Sequence, residues 1–277
     1  MKSRYSIIGL IIILLTASAS GQQQSEPHII AHRGAPLVAP ENTLASFRAA
    51  IAMKIDVLEI DLRATKDDHF VVMHDATVNR TTSGKGKVAE KTLSELRTLD
   101  AGSWFDARFA GEKIPTLEEV LALLDSSLLL IAELKGSSDD GSVEAQLVQK
   151  IVESGKQRHI ILKSFEMEVI EHFKNLAPDI PRLFVYAFRI PWMHLIVGTG
   201  VSAGSVFDVD AEYLQPHYLL LSSSFVEEAH RRGYKVVAWG VDDEKTMRKA
   251  IGFGVDGIET DRPDLLKHIL DSTRDPK

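Results

Sequence analysis

The chain has 277 residues, of which 44% are hydrophobic and 26% charged, an ordinary globular composition with ample material for a core. Its formal charge of -7, with no long basic run to offset it, argues against nucleic acid as the main partner. No cysteine is present, which excludes disulfides, thiolate metal sites, a cysteine nucleophile and a lipid anchor on cysteine.

The first 21 residues read as a signal peptide. Lys2 and Arg4 give a positive start, Tyr5 to Leu15 form a short apolar stretch, and Ala17-Ser18-Ala19 supplies small residues at a cleavage-like spacing. The apolar stretch is shorter than the roughly 20 residues that span a bilayer as a helix. No later segment looks transmembrane, so the expectation is an exported protein, periplasmic or secreted, with no stable membrane span once the leader is gone. Loss of Lys2 and Arg4 leaves 30 basic against 39 acidic residues, a charge of -9.

From residue 26 onward, apolar runs alternate with helical patterns. Strands are predicted at 28–34 (HIIAHRG), 57–63 (VLEIDLR), 69–75 (HFVVMHD), 128–136 (LLLIAELKG), 159–165 (HIILKSF), 181–188 (PRLFVYAF), weakly at 211–215 (AEYLQ), 234–241 (YKVVAWGV) and 255–260 (VDGIET). Helical stretches lie between them. Asn42, Thr116, Ser224 and Asp243 stand where helix N-caps belong, and Gly233 and Gly254 just past helix ends. Such alternation over about 250 residues fits either an open doubly wound sheet or a (β/α)8 barrel. No GxGxxG follows the first strand, and nine strands fit a closed eight-stranded (TIM) barrel with one extra, hairpin-like strand near 69–75. The expectation is one barrel domain over 26–277, with excursions at 83–115 and 189–208, the second carrying apolar Trp192, Leu195, Ile196 and Val197.

Within 57–63, period-2 alternation puts Glu59 and Asp61 on one face with Val57, and Leu58, Ile60 and Leu62 on the other. The carboxylate face is either open to water or built around something positive, because unpaired carboxylates inside a barrel cost several kcal/mol. In 128–136 the pattern repeats: Leu129, Ile131, Glu133 and Lys135 share a face. Three carboxylates converging on the mouth of a barrel suit a hard divalent cation, Mg2+ or Ca2+. Lys135 either meets an anionic substrate or pairs with Glu133. His32 and His74 each stand where the chain leaves a strand, as capping or core residues, or as a pair that takes and gives protons beside a metal. Arg33 offers a planar fork for phosphate oxygens, or a salt bridge to Glu59 or Asp61.

These residues lie in segments that resemble the glycerophosphodiester phosphodiesterase family: HRG (32–34), APENT (39–43), LEIDLRATKD (58–67), VVMHDATVNRTT (71–82), LDAGSWF (99–105), IPTLEEVL (114–121), AELKG (132–136), SF (164–165), VVAWGVDD (236–243) and VDGIETDRPDLL (255–266). The resemblance implies a (β/α)8 barrel with a segment inserted after the second barrel strand, about 69–115. It implies His32 and His74 as the general acid/base pair, Glu59, Asp61 and Glu133 as ligands of one divalent cation, and Arg33 and Lys135 as phosphate contacts. Trp239, placed inward with Val237 and Val241, resembles the family tryptophan beside the alcohol part of the substrate, or is a barrel-core residue. Glu41 and Asn42 are implied to support the metal site; Glu259-x-Asp261 resembles the family ending, and Asp261 reads as a cap of the last helix and not as a ligand. The implied reaction is metal-dependent hydrolysis of a small glycerophosphodiester to sn-glycerol 3-phosphate and an alcohol. Lysophospholipid cleavage on the same scaffold is the nearest rival, and an exported protein that binds phosphodiesters without turnover is a more distant one.

Expression in an exporting host should yield a mature N-terminus near Ala19 to Gln22, read by N-terminal sequencing. A chain that still begins at Met1 would contradict the leader assignment.

Overall fold

The computed structural model describes residues 26–138, 140–186 and 206–274. The expected leader and Trp192, Leu195, Ile196 and Val197 lie outside the described residues.

Eight parallel strands close on themselves: β1 (His28–Ala31), β2 (Val57–Ala64), β4 (Leu129–Leu134), β5 (Ile160–Ser164), β6 (Arg182–Tyr186), β7 (Tyr213–Pro216), β8 (Lys235–Ala238) and β9 (Gly257–Thr260). Pairing of β1 with both β2 and β9 closes the barrel, through Ile30↔Val57 on one side and Ile30↔Glu259 on the other. The ninth strand, β3 (Phe70–Val72), is antiparallel to the far end of β2, with Leu62 opposite Val72. It opens the expected insertion, which returns where Pro115 accepts a hydrogen bond from Val72 N.

The alternation seen in the sequence is the alternation of the barrel wall. Outward-facing Leu58, Ile60, Leu62, Leu130, Ala132, Leu134, Ile160 and Leu162 are buried under the surrounding helices. Those helices are α1 (Leu44–Ala52), α3 (Leu117–Leu121), α4 (Ser142–Glu153), α5 (Met167–Leu176), α6 (Ser223–Arg231), α7 (Glu244–Phe253) and α8 (Pro263–Arg274), with α2 (Leu93–Thr98) in the insertion. Inward-facing Ile30, Val57, Ile131, Ile161, Leu183, Val185 and Val237 fill the barrel's N-terminal end. The insertion has its own small core of Val71, Met73, Val78, Val88, Leu96, Ala101 and Ile114, so it is a packed subunit of the fold and not a slack loop.

Thr116 and Asp243 are N-caps as expected, Thr116 within a reciprocal capping box with Glu119. Two cap expectations are corrected. The cap of α6 is Ser222 and not Ser224, and that of α1 is Thr43 and not Asn42. Asn42 has φ +57, and its amide is used elsewhere. Trp239 does follow Val237 inward, but Val241 packs in the outer core with the helices. Gly240, at φ +72, turns the chain between them and ends the alternation.

Two glycine substitutions should move stability in opposite directions. A Cβ on Gly102 would sit 1.9 Å from the Phe109 carbonyl oxygen, whereas one on helical Gly252 meets nothing within 4 Å. Gly102→Ala should cost about 1–3 kcal/mol or more, and Gly252→Ala should add up to about 1 kcal/mol, both read from urea denaturation midpoints.

Candidate active site

Above the apolar layer the inward rows become polar. Register places Asp61 beside Glu133, and Glu133 beside Lys163. Glu59, Asp61, Glu133, Lys163, Gln215 and Glu259 are all buried. Lys163 Nζ lies 2.9 Å from Glu59 Oε1, 3.1 Å from Glu133 Oε2, and 3.0 and 2.9 Å from the two oxygens of Glu259. Gln215 Nε2 donates to Glu259 Oε2 at 2.7 Å. Buried charges survive only when paired and hydrogen-bonded, and this lysine compensates three of the four acids.

Asp61 is served from the other side. Its Oδ2 accepts from Asn42 Nδ2 at 2.8 Å and lies 3.1 Å from Arg33 Nε. Lys135 Nζ pairs with Asp61 Oδ1 at 3.2 Å and with Glu133 Oε1. Both sequence readings of Arg33 and Lys135 as salt-bridge partners are therefore realised. The turn after β1 makes the first possible: Arg33 at φ +55 and Gly34 at φ +91 fold the chain back, and Arg33 N donates to Glu59 Oε2 at 3.1 Å.

A second ring of contacts positions these groups. Arg33 Nη1 donates to Glu41 Oε1 at 2.9 Å, and Glu41 in turn accepts from Arg80 Nη1 and Nη2. Arg80 Nε reaches Asp75 Oδ2, and Asp75 Oδ1 holds His74 Nδ1 at 2.8 Å. Arg63 donates to the His74 carbonyl through Nε and Nη2 and to the Lys135 carbonyl through Nη1. The guanidinium thus ties the ends of two strands together. His32 Nδ1 meets Asp261 Oδ1 at 2.7 Å. The expected role of Asp261 as helix cap is corrected by that contact, because its carboxylate is engaged by the histidine that follows the neighbouring strand β1.

The two imidazoles share one arrangement: a carboxylate on Nδ1 fixes the ring and leaves Nε2 for other chemistry. Their proton affinities differ. Burial opposes protonation of His32, but the Asp261 hydrogen bond and the charges of Glu59 and Glu259 prevail and push it up to about 9. Burial lowers His74 from its ordinary 6.5, and the cations Arg33 and Lys135 add to this against Asp61 and Asp75. Burial works against the charge on Asp61, yet Lys135 and Arg33 hold it well below the usual carboxylate range, with smaller contributions from both histidines. Burial pushes Glu59 up to about 7; the Lys163 charge opposes this, and the negative charges of Glu259 and Asp61 add to the rise.

Glu59, Asp61 and Glu133 can each present an oxygen within 4.8 Å of the others. Asp61 Oδ1 is buried, and its one close cation, Lys135 Nζ at 3.2 Å, lies outside hydrogen-bond geometry, which leaves the oxygen as an acceptor suited to an ion. Hard oxygen donors of this kind fit Mg2+ or Ca2+. Trp239 stands at the mouth, edge-on to Phe165 and His217 with centroids 6.1 and 4.6 Å away. Its buried Nε1 has no partner among the described residues.

The model of the glycerophosphoryl diester phosphodiesterase family matches residues 32–265. The chain belongs to this family. A glycerophosphodiester phosphodiesterase of Caldanaerobacter subterraneus is 37% identical over 246 residues, covering 87% of this chain and 97% of the relative. One from Bacillus subtilis is 30% identical and covers 95% and 94%. Among solved structures, an Oleispira antarctica phosphodiesterase in complex with the product sn-glycerol-3-phosphate is 32% identical, with a TM-score of 0.76 over 89% of this chain and 98% of that one. The Agrobacterium tumefaciens glycerophosphodiester phosphodiesterase is 28% identical, with a TM-score of 0.74 over 87% and 99%.

The structure brings together His32, Arg33, Glu59, Asp61, His74, Glu133 and Lys135, and sets Trp239 beside them. Lys163 and Glu259 were not singled out from the sequence, although both lie inward by the same alternation that marks Glu59. Arg63 continues the face of Glu59 and Asp61 in β2 without having been singled out, whereas Asp75 and Arg80 lie beyond the strands and carry no periodic signal.

In wild-type protein the His32 ring should titrate near 9 by NMR. With Asp261→Asn the hydrogen bond no longer favours the cation, so the value should fall toward or below 6.5; an unmoved titration would contradict the contact.

Proposed function

We propose that the protein hydrolyses glycerophosphodiesters to sn-glycerol 3-phosphate and an alcohol, by general acid/base catalysis from two histidines beside a divalent cation. The observation that carries this reading is the pairing of two carboxylate-oriented imidazoles, with opposed proton affinities, around the buried Glu59, Asp61 and Glu133. The names of the relatives and the product held by the Oleispira antarctica phosphodiesterase support the substrate class.

Glu59, Asp61 and Glu133 would hold one ion, Mg2+ or Ca2+, which when bound supplies neutralisation of charge on the phosphate oxygens. Arg33 and Lys135 add fixed positive charge for the same oxygens. His74, neutral at pH 7, takes the proton of the attacking hydroxyl, either water, which gives glycerol 3-phosphate directly, or the neighbouring glycerol hydroxyl, which gives a cyclic phosphate that water then opens to the same product. His32, protonated at pH 7, gives its proton to the departing alcohol oxygen. Environments that push two titratable groups apart are what separates acid from base at one pH. Trp239 and Phe165 offer aromatic surface to the carbon part of the substrate. Asn42 and Glu41 act behind this layer, on Asp61 and Arg33. We place the activity outside the cytoplasm, on the strength of the leader-like residues 1–21. No feature among the described residues favours cleavage of lysophospholipids or binding without turnover.

Residues 26–277, stripped of metal, should release glycerol 3-phosphate from glycerophosphocholine when Mg2+ or Ca2+ is restored and not with EDTA. His32→Ala and His74→Ala should each lower kcat by about 10²–10⁴-fold, and Glu59→Ala with Asp61→Ala should abolish metal binding by calorimetry. Plotted against pH, kcat/KM should fall below His74's ordinary 6.5 as that ring gains a proton, and again near 9 as His32 loses one. Full turnover with EDTA, or by either alanine variant, would overturn the assignment.

A further inference from the structure

Two groups of potential ligands share this barrel. Beside Glu59, Asp61 and Glu133, the side chains of His32, Glu59 and Glu259 also bring ligand atoms within 4.8 Å of one another. Glu59 belongs to both. Two adjacent ions clamping attacking and leaving oxygens are a common solution to phosphoryl transfer, and an acid-rich pair of groups joined by one carboxylate is the raw material for it.

Here one position is already taken. Lys163 Nζ bonds Glu59 Oε1 at 2.9 Å and both oxygens of Glu259, so it lies against two of the three members of the second group. Its remaining contact, Glu133 Oε2 at 3.1 Å, joins it to the first group. The lysine is nine-tenths or more buried, comes from the C-terminal part of β5 and is held by four oxygens of three carboxylates. Gln215 fills the outer lone pair of Glu259 and turns that carboxylate toward the ammonium. His32 is engaged by Asp261 through Nδ1, which leaves only Nε2 for a metal or for substrate.

We propose that Lys163 is a built-in cation that stands in for a second metal and restricts the centre to one divalent ion. It is a positioning residue: it touches neither substrate nor reacting atoms. It fixes Glu59 and Glu133 as ligands of that single ion and keeps His32 out of metal coordination, free for proton transfer. The charges agree with this. Around the centre Glu59, Asp61, Glu133, Glu259 and Asp261 face Arg33, Lys135, Lys163 and the protonated His32, one negative charge in excess. One divalent cation and one singly charged phosphodiester bring the sum to neutral, whereas a second divalent ion would leave the dry interior strongly positive.

The inference rests on the metal reading above, and counting ions separates the two. Mn2+ serves as probe, with stoichiometry from calorimetry and metal analysis and pairing of ions from the exchange-coupled Mn2+ signal in electron paramagnetic resonance. Wild-type protein should bind one Mn2+ per chain with an uncoupled signal. Lys163→Met, close in shape and neutral, should bind two with a coupled signal, and the first should bind roughly tenfold or more tightly than in wild type because a nearby positive charge is gone. Lys163→Met combined with Glu259→Gln should return to one. Two ions in the wild type would overturn the proposal without any variant, so a misfolded Lys163→Met leaves it testable; Lys163→Gln then serves as the second neutral variant. One ion at wild-type affinity in a folded neutral variant, or two in the double variant, would also overturn it. No ion in wild type would overturn the metal reading itself, and this inference with it.

Discussion

Four carboxylates inside a closed barrel are the constraint on which the rest of this structure depends. Left unpaired they would cost several kcal/mol each, comparable in sum with the whole stability of a domain. Lys163 and Lys135 from two barrel strands and Arg33 from the turn after β1 answer them from different directions. Each of these cations then fixes something else. Lys163 fixes the relative placement of β2, β4, β5 and β9, and Arg33 recruits Glu41, Arg80 and Asp75 in sequence as far as His74. The apolar half of the barrel supplies rigidity, while the charged half supplies a specific arrangement that tolerates little slack.

This explains why the insertion after β2 is packed and not loose. His74 and Arg80 stand in it, and Glu41, which accepts from both Arg80 and Arg33, stands with Arg33 in the turn after β1. Val71, Met73 and Val78 anchor the same stretch in a local core, and Arg63 holds the His74 carbonyl from β2. A flexible insertion could present a histidine, but it could not hold one on a carboxylate whose arginine is itself tied to Glu41 in the turn after β1.

The barrel and most of its site were legible because both depend on period-2 alternation. Glu59, Asp61 and Glu133 stand out as acids in apolar runs, and a register between neighbouring parallel strands turns them into one cluster. Lys163 and Glu259 obey the same alternation, but a single charge near a strand end looks like an ordinary solvent-facing residue until its neighbours across the barrel are known. Of the two readings of Asn42 only the cap failed, because cap chemistry and support of a buried carboxylate use the same amide, and Thr43 next to it caps instead. Asp261 was misread for a similar reason: an acid two residues before a helix-starting proline has the local signature of a cap, and its real partner is 229 residues away. Contacts such as Arg80 with Glu41 depend on where two loops meet, which no local pattern records.

That long separation has a consequence for how the molecule comes into being. β1, which leads into His32, finds its second neighbour only in β9, the last strand of the barrel, and Glu259 reaches Lys163 across 96 residues. Such pairings are slow to form, because the loop entropy of almost the entire chain is spent before they give anything back. A nascent chain that has not yet released residues 257–261 therefore holds its early acids in water, with one histidine lacking its carboxylate and one lysine lacking the carboxylate that meets it with both oxygens. The chemistry is absent until the final strand seats, so competence arrives in a single step with barrel closure, at the end of folding.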